Sequence, residues 1–309
     1  MPASPLLIGS RGSPLALWQA EHVRALLLDA HGPDGPKVEL KVITTSGDRI
    51  QDQPLRELGG KGLFTKEIDA ALLRGDIALA VHSMKDLPTE LPEGTCIAAV
   101  LPRHEVRDAF ISHEAGSLEA LPAGAVVGTA SLRRQAQVRR IRPDLRVTDF
   151  RGNVETRLRK LERGEADATL LSMAGLDRLG LADRATAVLS TDHMLPAVAQ
   201  GAIGVACRSD DAETRALLAP LNDPAAETSV ACERAFLTKL DGSCRTPIAG
   251  LAEIADGALR FRGMILTPDG GEWHEIEMTG KAEDAWRIGQ DAGDDLLTRA
   301  GPQFLAKLG

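Results

Sequence analysis

Residues 72–87 read LLRGDIALAVHSMKDL, and residues 161–176 read LERGEADATLLSMAGL. Six of the sixteen positions are identical, among them an Arg-Gly pair that ends a helix and a Ser-Met pair just past a strand. Each copy predicts one unit: an amphipathic helix stopped by glycine, then an apolar strand of the kind a parallel sheet buries on both faces. An echo of this length reads either as one α/β lobe occurring twice or as a chance match in a chain rich in Leu, Ala and Arg. Two such lobes would face each other across a cleft, the usual place for a small ligand.

The flanking sequence repeats the alternation. A strand over 6–9 precedes Ser13-Pro14, an N-cap and first helical residue, and a helix to about Ala30 with Leu17, Trp18, Leu26 and Leu27 among its buried positions. Strands follow at 38–44 and 77–81, with a helix at 64–74 behind the Gly59–Gly62 turn. The second lobe shows strands at 126–128, 147–150 and 168–171. Its helices begin after Ser131 and Asn153. After a strand at 202–207 the pattern changes to a helix at 227–240, strands at 248–254, 259–266 and 273–278 joined by Asp-Gly turns, and a helix over 282–300. The expected fold class is α/β, two lobes around a cleft plus a small α+β C-terminal domain, with LNDPAAE near residue 220 as linker.

Composition removes several classes. The formal net charge is −8, which argues against wholesale nucleic-acid binding. Cys96, Cys207, Cys232 and Cys244 form neither a disulfide framework nor a metal-ligand spacing. No apolar window reaches the length of a membrane span, and the N-terminus does not read as a signal peptide, so a cytoplasmic protein is expected. Charge is unevenly placed: from Arg133 to Arg163 there are ten arginines and one lysine against four acids. That density suits a ligand bearing carboxylates or phosphates, although a GC-rich genome alone also enriches arginine.

The junctions between strands and helices carry the chemistry. Lys85-Asp86 follows an apolar strand, where a parallel sheet opens onto its ligand; the pair reads either as an ion pair closing a turn or as an active-site acid with a neighbouring cation. In GTASLRRQAQVRR at 128–140, Thr129, Ser131, Arg133 and Arg134 surround a helix N-terminus. They form an anion site, one end of a basic solvated face, or a DNA-reading helix, the last without a helix-turn-helix partner or interleaved aromatics to support it. Arg151, Asn153 and Arg157 stand at a similar junction, as do Arg11 and Ser13, while Lys61 sits in a glycine-rich turn. Cys96, Cys207 and Cys232 have apolar surroundings. Cys244, in DGSCRTP, sits in a polar loop beside arginine and is either a functional thiol or an incidental one.

Taken in order, IGSRGSPLALWQA (8–20), GGKGLFTKEID (59–69), AVHSMKDLPTELP (80–92), GTASLRRQAQ (128–137), RGNVETRL (151–158), AGLDRLG (174–180), LPAVAQGAIG (195–204) and LDGSCRTPIAG (240–250) resemble the porphobilinogen deaminase (hydroxymethylbilane synthase) family along essentially the whole chain. The resemblance implies two periplasmic-binding-protein-like lobes, 1–101 with 202–219 and 102–201, and a cofactor-attachment domain, 220–309. It implies a monomeric, metal-free transferase of tetrapyrrole and heme biosynthesis. Four porphobilinogen molecules would be deaminated and joined head-to-tail on a dipyrromethane primer, and hydrolysis would release hydroxymethylbilane. Cys244 would hold the primer as a thioether, and Asp86 would be the catalytic carboxylate. Arg11, Ser13, Lys61, Lys85, Thr129, Ser131, Arg133, Arg134, Arg151, Asn153, Arg157, Arg178 and Gln200 would bind cofactor and substrate. The partners implied are porphobilinogen and the growing polypyrrole, with no nucleic acid and no membrane. Two positions depart from the family pattern: Ser243 replaces glycine before the cysteine, and Ala199 replaces glycine in the Val-Gly-Gln-Gly crossover.

Overall fold

The computed structural model describes residues 5–33, 35–49, 65–240 and 246–308. In chain order the strands and helices are β1 (Leu6–Ser10), α1 (Pro14–His31), β2 (Val38–Val42), α2 (Ser46–Arg49), α3 (Lys66–Leu73), β3 (Leu79–Ser83), β4 (Thr95–Val100), β5 (Asp108–Ser112), β6 (Val126–Gly128), α4 (Leu132–Ile141), β7 (Arg146–Thr148), α5 (Val154–Glu162), β8 (Ala168–Ser172), α6 (Met173–Arg178), β9 (Ala187–Val188), β10 (Ile203–Arg208), α7 (Ala212–Leu218), α8 (Pro224–Lys239), β11 (Ile248–Ala255), β12 (Ala258–Leu266), β13 (Trp273–Lys281) and α9 (Ala285–Leu305). The described residues fall into two compact units. One comprises 5–49, 65–104 and 201–227; the other comprises 105–200 and 228–308.

The first unit is a five-stranded sheet of order β2-β1-β3-β10-β4. Its first three strands run parallel, and β10 lies antiparallel between β3 and β4. The second unit holds a sheet of order β7-β6-β8-β5-β9, again with three parallel strands followed by antiparallel pairings. The two copies of the sequence echo supply β3 and β8, the third strand in each sheet, each preceded by its own helix. The chain therefore repeats one topology, the first reading of the echo. The return of β10 into the first sheet has no signal in the linear pattern; only the family resemblance anticipates it.

Alternation along each strand explains the layers. Leu79 and Val81 pack with Val23 and Leu27 of α1 on one face of the first sheet, while Ala80 faces Ile68 and Leu72 of α3 on the other. Burying a leucine such as Leu79 contributes roughly 2 kcal/mol. In the second sheet Phe110, Val127 and Leu170 pack against Val138 of α4, and Ile111 and Leu171 against Leu158 and Leu161 of α5. The C-terminal sheet β11-β12-β13 belongs to this second unit, and Leu251, Met264 and Leu266 pack on Ala136 of α4. Asp256 and Gly257 both adopt positive φ, 50° and 76°, which gives the β11–β12 hairpin a tight turn matched to strand twist.

Three expectations shift. The strand expected at 77–81 is β3, Leu79–Ser83; Ile77 is buried but lies before the ladder, because an apolar run reports burial rather than pairing. Trp18 is 37% exposed, stacked on His22, because it lies about 160° around the helix from Ala20, which faces the sheet. A strand at 108–112 was not anticipated, and it opens with a buried acid.

The crossover into β10 holds backbone strain. Ala199 has φ 60°, and its N–H donates to the buried Glu233 carboxylate at 2.5 Å, whose other oxygen accepts from Ala252 N at 2.8 Å. Left-handed backbone disfavours a side chain by about 1–2 kcal/mol, partly offset by the extra chain entropy of glycine. Ala199→Gly is therefore expected to raise unfolding free energy by roughly 0.5–1 kcal/mol in urea titrations. A loss of stability of that size would contradict the strain.

Candidate active site

In the first unit, β1 and β3 are parallel neighbours, so the residues that follow them emerge side by side. After β1 come Arg11 and Ser13; Ser13 caps α1 by accepting from Ala16 N at 3.3 Å. After β3 the chain makes a single 3₁₀ turn, Met84–Asp86, which presents Asp86 exposed and Lys85 half-buried. Gln19 donates from Nε2 to Ser83 Oγ at 2.8 Å and so ties α1 to the end of β3. A small cavity is lined by Arg11, Ser13, Gln19, His82, Ser83 and Asp86. The structure thus brings the expected carboxylate together with an expected cation and hydroxyl at the carboxyl edge of one sheet.

His82, unremarked in the sequence, is buried in that wall, and its Nε2 has no hydrogen-bond partner among the described residues. Burial, aided by the charge of Arg11, pushes its pKa down from 6.5 to about 4. The unfolded chain therefore binds a proton that the folded chain refuses. Stability is full above about pH 6.5 and falls as pH drops through the window to about 4, by about 3 kcal/mol at 1.36 kcal/mol per pH unit. Urea midpoints measured from pH 7 to 4 should show this loss, and His82→Gln should flatten it. An equal slope in the variant would assign the loss to other groups.

In the second unit β6, β7 and β8 end together, and each delivers part of the expected anion-binding set. After β6, Thr129 is buried and Ser131 caps α4, accepting from Arg134 N at 3.4 Å. After β7, Arg151 and Asn153 precede α5; Asn153 accepts from Thr156 N at 2.8 Å, and Arg157 Nε donates to Gly152 O at 2.7 Å. Gly152 sits at φ 122°, and a Cβ there would meet the Thr156 side chain at 2.7 Å, so this junction needs glycine. After β8, α6 carries Arg178, which is buried; burial, only partly countered by Asp177, pushes its pKa down to about 10.

Arg133 and Arg134 turn inward instead of standing on a solvated face. Both are 5% exposed. Arg133 Nη2 donates to Asp108 Oδ2 and Arg134 Nη2 to Asp108 Oδ1, each at 2.7 Å, while their Nη1 atoms reach Leu195 O and Leu170 O at 2.7 and 3.0 Å. Gln200 Nε2 donates to Asp108 Oδ1 at 2.8 Å and to Val106 O at 2.7 Å. Burial alone would raise the Asp108 pKa. The two guanidinium charges and their hydrogen bonds overcome this and hold the carboxyl far below the usual carboxylate range. Two arginines on one carboxylate leave a net positive charge, and the Nε atoms of both are buried without a partner among the described residues.

Asp108 is the residue that sequence reasoning missed. Its one signal is a lone acid opening the apolar run AFI, and only folding shows what it pairs with. Lys61 and Cys244 lie outside the described residues.

Comparison with known proteins fits this arrangement. A family model described as porphobilinogen deaminase, dipyromethane cofactor binding domain, matches residues 6–216, and the model of the C-terminal domain of the same proteins matches 228–298. The chain belongs to the porphobilinogen deaminase family. Porphobilinogen deaminase of Nitrobacter winogradskyi is 57% identical over 96% of this chain and 94% of its own length. That of Paracoccus denitrificans is 54% identical over 98% and 97%. The chloroplastic enzyme of pea is 56% identical over 96% and 82%. Among solved structures a methionine-binding protein superposes with a TM-score of 0.45 at 14% identity, covering 72% of this chain and 90% of that one. Among the described residues no helix is long and apolar enough to cross a membrane.

Proposed function

We propose that this chain is a hydroxymethylbilane synthase: it deaminates four porphobilinogen molecules, joins them head-to-tail on a dipyrromethane primer bound through a thioether to Cys244, and releases hydroxymethylbilane by hydrolysis. The observation that carries this is the match of residues 6–216 to the cofactor-binding domain of porphobilinogen deaminases, with Asp86 and the buried arginine cluster at strand ends of that segment. The proposal includes the division into 1–101 with 202–219, 102–201 and 220–309, a cytoplasmic location, a monomeric state, and no nucleic-acid or membrane partner.

The dipyrromethane, when bound, supplies the pyrrole α-carbon on which new units are built. The chain's own residues do the rest. Each pyrrole carries an acetate and a propionate, so binding needs many donors of fixed geometry. Thr129, Ser131, Arg151, Asn153 and Arg157, which follow strands of the second sheet, take this role together with the buried Arg133, Arg134, Arg178 and Gln200. Arg11, Ser13 and Lys85 serve likewise on the first unit, and Lys61, outside the described residues, is assigned the same role. Such a basic environment opposes the positive charge that develops as ammonia leaves porphobilinogen. Asp86 resolves the conflict locally: its carboxylate stabilises that charge and holds the pyrrole N–H. It also takes up the proton lost when the new carbon–carbon bond forms.

The attachment is testable by itself. The wild-type chain is expected to carry the mass of two deaminated porphobilinogen units. Cys244→Ser should be folded by circular dichroism but free of that mass, since a hydroxyl is a far poorer nucleophile toward the pyrrolic electrophile than a thiol. Full adduct on Cys244→Ser would overturn the assignment.

A further inference from the structure

A pair of thiols lies apart from the residues given to porphobilinogen. Cys96 is in β4 and Cys207 in β10; the strands are antiparallel, and Cys207 stands directly opposite Cys96 in the ladder. Their Sγ atoms are 3.9 Å apart. Opposed residues of an antiparallel pair have Cα atoms about 4.5 or 5.5 Å apart, inside the span of about 4.4–6.8 Å that a disulfide bridges. Bonding the two sulfurs therefore asks for side-chain rotation and little backbone movement. The register also shifts between Val205 and Ala206, so that a bulge interrupts the ladder next to Cys207.

The two thiols differ. Cys207 is fully buried, and its Sγ donates to the Arg208 carbonyl at 3.3 Å. Burial, with Cys96 beside it, pushes the Cys207 thiol up to about 12. Cys96 is half-buried, so a reagent from solvent meets it first. Cys232, by contrast, is buried in α8 and belongs to the second unit.

We propose that Cys96 and Cys207 are a redox modification site, oxidised by hydroperoxides to a cross-strand disulfide with Cys96 attacking and Cys207 resolving. The Cys96 thiolate attacks one peroxide oxygen and the O–O bond breaks, leaving Cys96 as a sulfenic acid and releasing an alkoxide or hydroxide that takes up a proton. The Cys207 sulfur then attacks the Cys96 sulfur as its proton is lost; the S–O bond breaks and water leaves. In sum two thiols and one hydroperoxide give a disulfide, an alcohol (water, for hydrogen peroxide) and water, with two electrons passing from sulfur to oxygen. The bond staples the strand that precedes the chain's exit from the first unit to the strand that follows its return.

The test treats the cofactor-bearing enzyme with hydrogen peroxide under native conditions, blocks remaining thiols with N-ethylmaleimide, and maps the peptides by mass. The expected result is the loss of two hydrogens, a linked peptide pair containing residues 96 and 207, and reversal by dithiothreitol. In Cys207→Ser, Cys96 should stop at a dimedone-reactive sulfenic acid or pass on to sulfinic acid. In Cys96→Ser, Cys207 should stay reduced at the same dose, and Cys232→Ser should keep the link. The wild-type map decides the matter alone if a variant does not fold. Sulfinic acid on Cys96 with Cys207 still blockable, a link to any other cysteine, or both thiols untouched when the peroxide has been consumed would each overturn the proposal.

Discussion

Cofactor-loaded Asp86→Asn is expected to bind porphobilinogen and elongate two to three decades more slowly than the wild type. The amide keeps the size and part of the hydrogen bonding of the acid but carries no charge. If the carboxylate stabilises the positive charge left as ammonia departs, its loss costs about 3–4 kcal/mol of transition-state stabilisation. Asp86 is exposed, at the end of a 3₁₀ turn, and is not part of a buried network, so the substitution should leave the fold intact. Asp86→Glu keeps the charge on a longer arm and should retain more activity. The variants must be compared with their covalent primer confirmed by mass, because failure to assemble it would imitate a catalytic defect. Rapid mixing then reads the first addition, and near-normal elongation by Asp86→Asn would reject charge stabilisation at this residue.

Asp108→Asn is expected to be the most destabilising single change at the site. It leaves Arg133 and Arg134 buried side by side with no anion between them, which costs about 3–5 kcal/mol when one partner of a buried ion pair is removed. Arg133→Leu and Arg134→Leu should each cost less stability, since the other arginine still faces the carboxylate, but each should impair binding of the carboxylate-bearing substrate. Urea midpoints and turnover, measured together, separate the effects. The pH windows separate them too. Asp108, held ionised by its arginines, contributes stability that is present above about pH 4 and is lost only below it, while the His82 contribution is lost between about 6.5 and 4. An Asp108→Asn chain as stable as wild type would show that the cluster is not held by this carboxylate.

These residues also show where a sequence is legible. The three helix N-caps, Ser13, Ser131 and Asn153, are local features, and each accepts the expected backbone bond. The positions of Asp86, Arg11 and the arginine-rich junctions follow from strand-to-helix order, which periodicity and glycine placement reveal. Asp108 is different in kind. Its partners lie 25, 26 and 92 residues away, and no local pattern announces a pairing made by folding. The same holds for β10, whose place between β3 and β4 depends on a chain excursion that hydropathy does not record. Trp18 failed for a simpler reason. Four apolar residues in one helix do not share a face, and the phase is set by Ala20, Val23 and Leu27 against the sheet.

A chain that builds a linear tetrapyrrole on a primer it holds covalently must itself gain mass during turnover. Intact mass recorded at short times after mixing the wild-type enzyme with limiting porphobilinogen reads that gain. The expected result is a ladder of protein masses above the two-unit starting form, each step one deaminated porphobilinogen, reaching four added units before the starting mass returns as hydroxymethylbilane appears. Product appearing while the protein mass never rises above its starting value would contradict it.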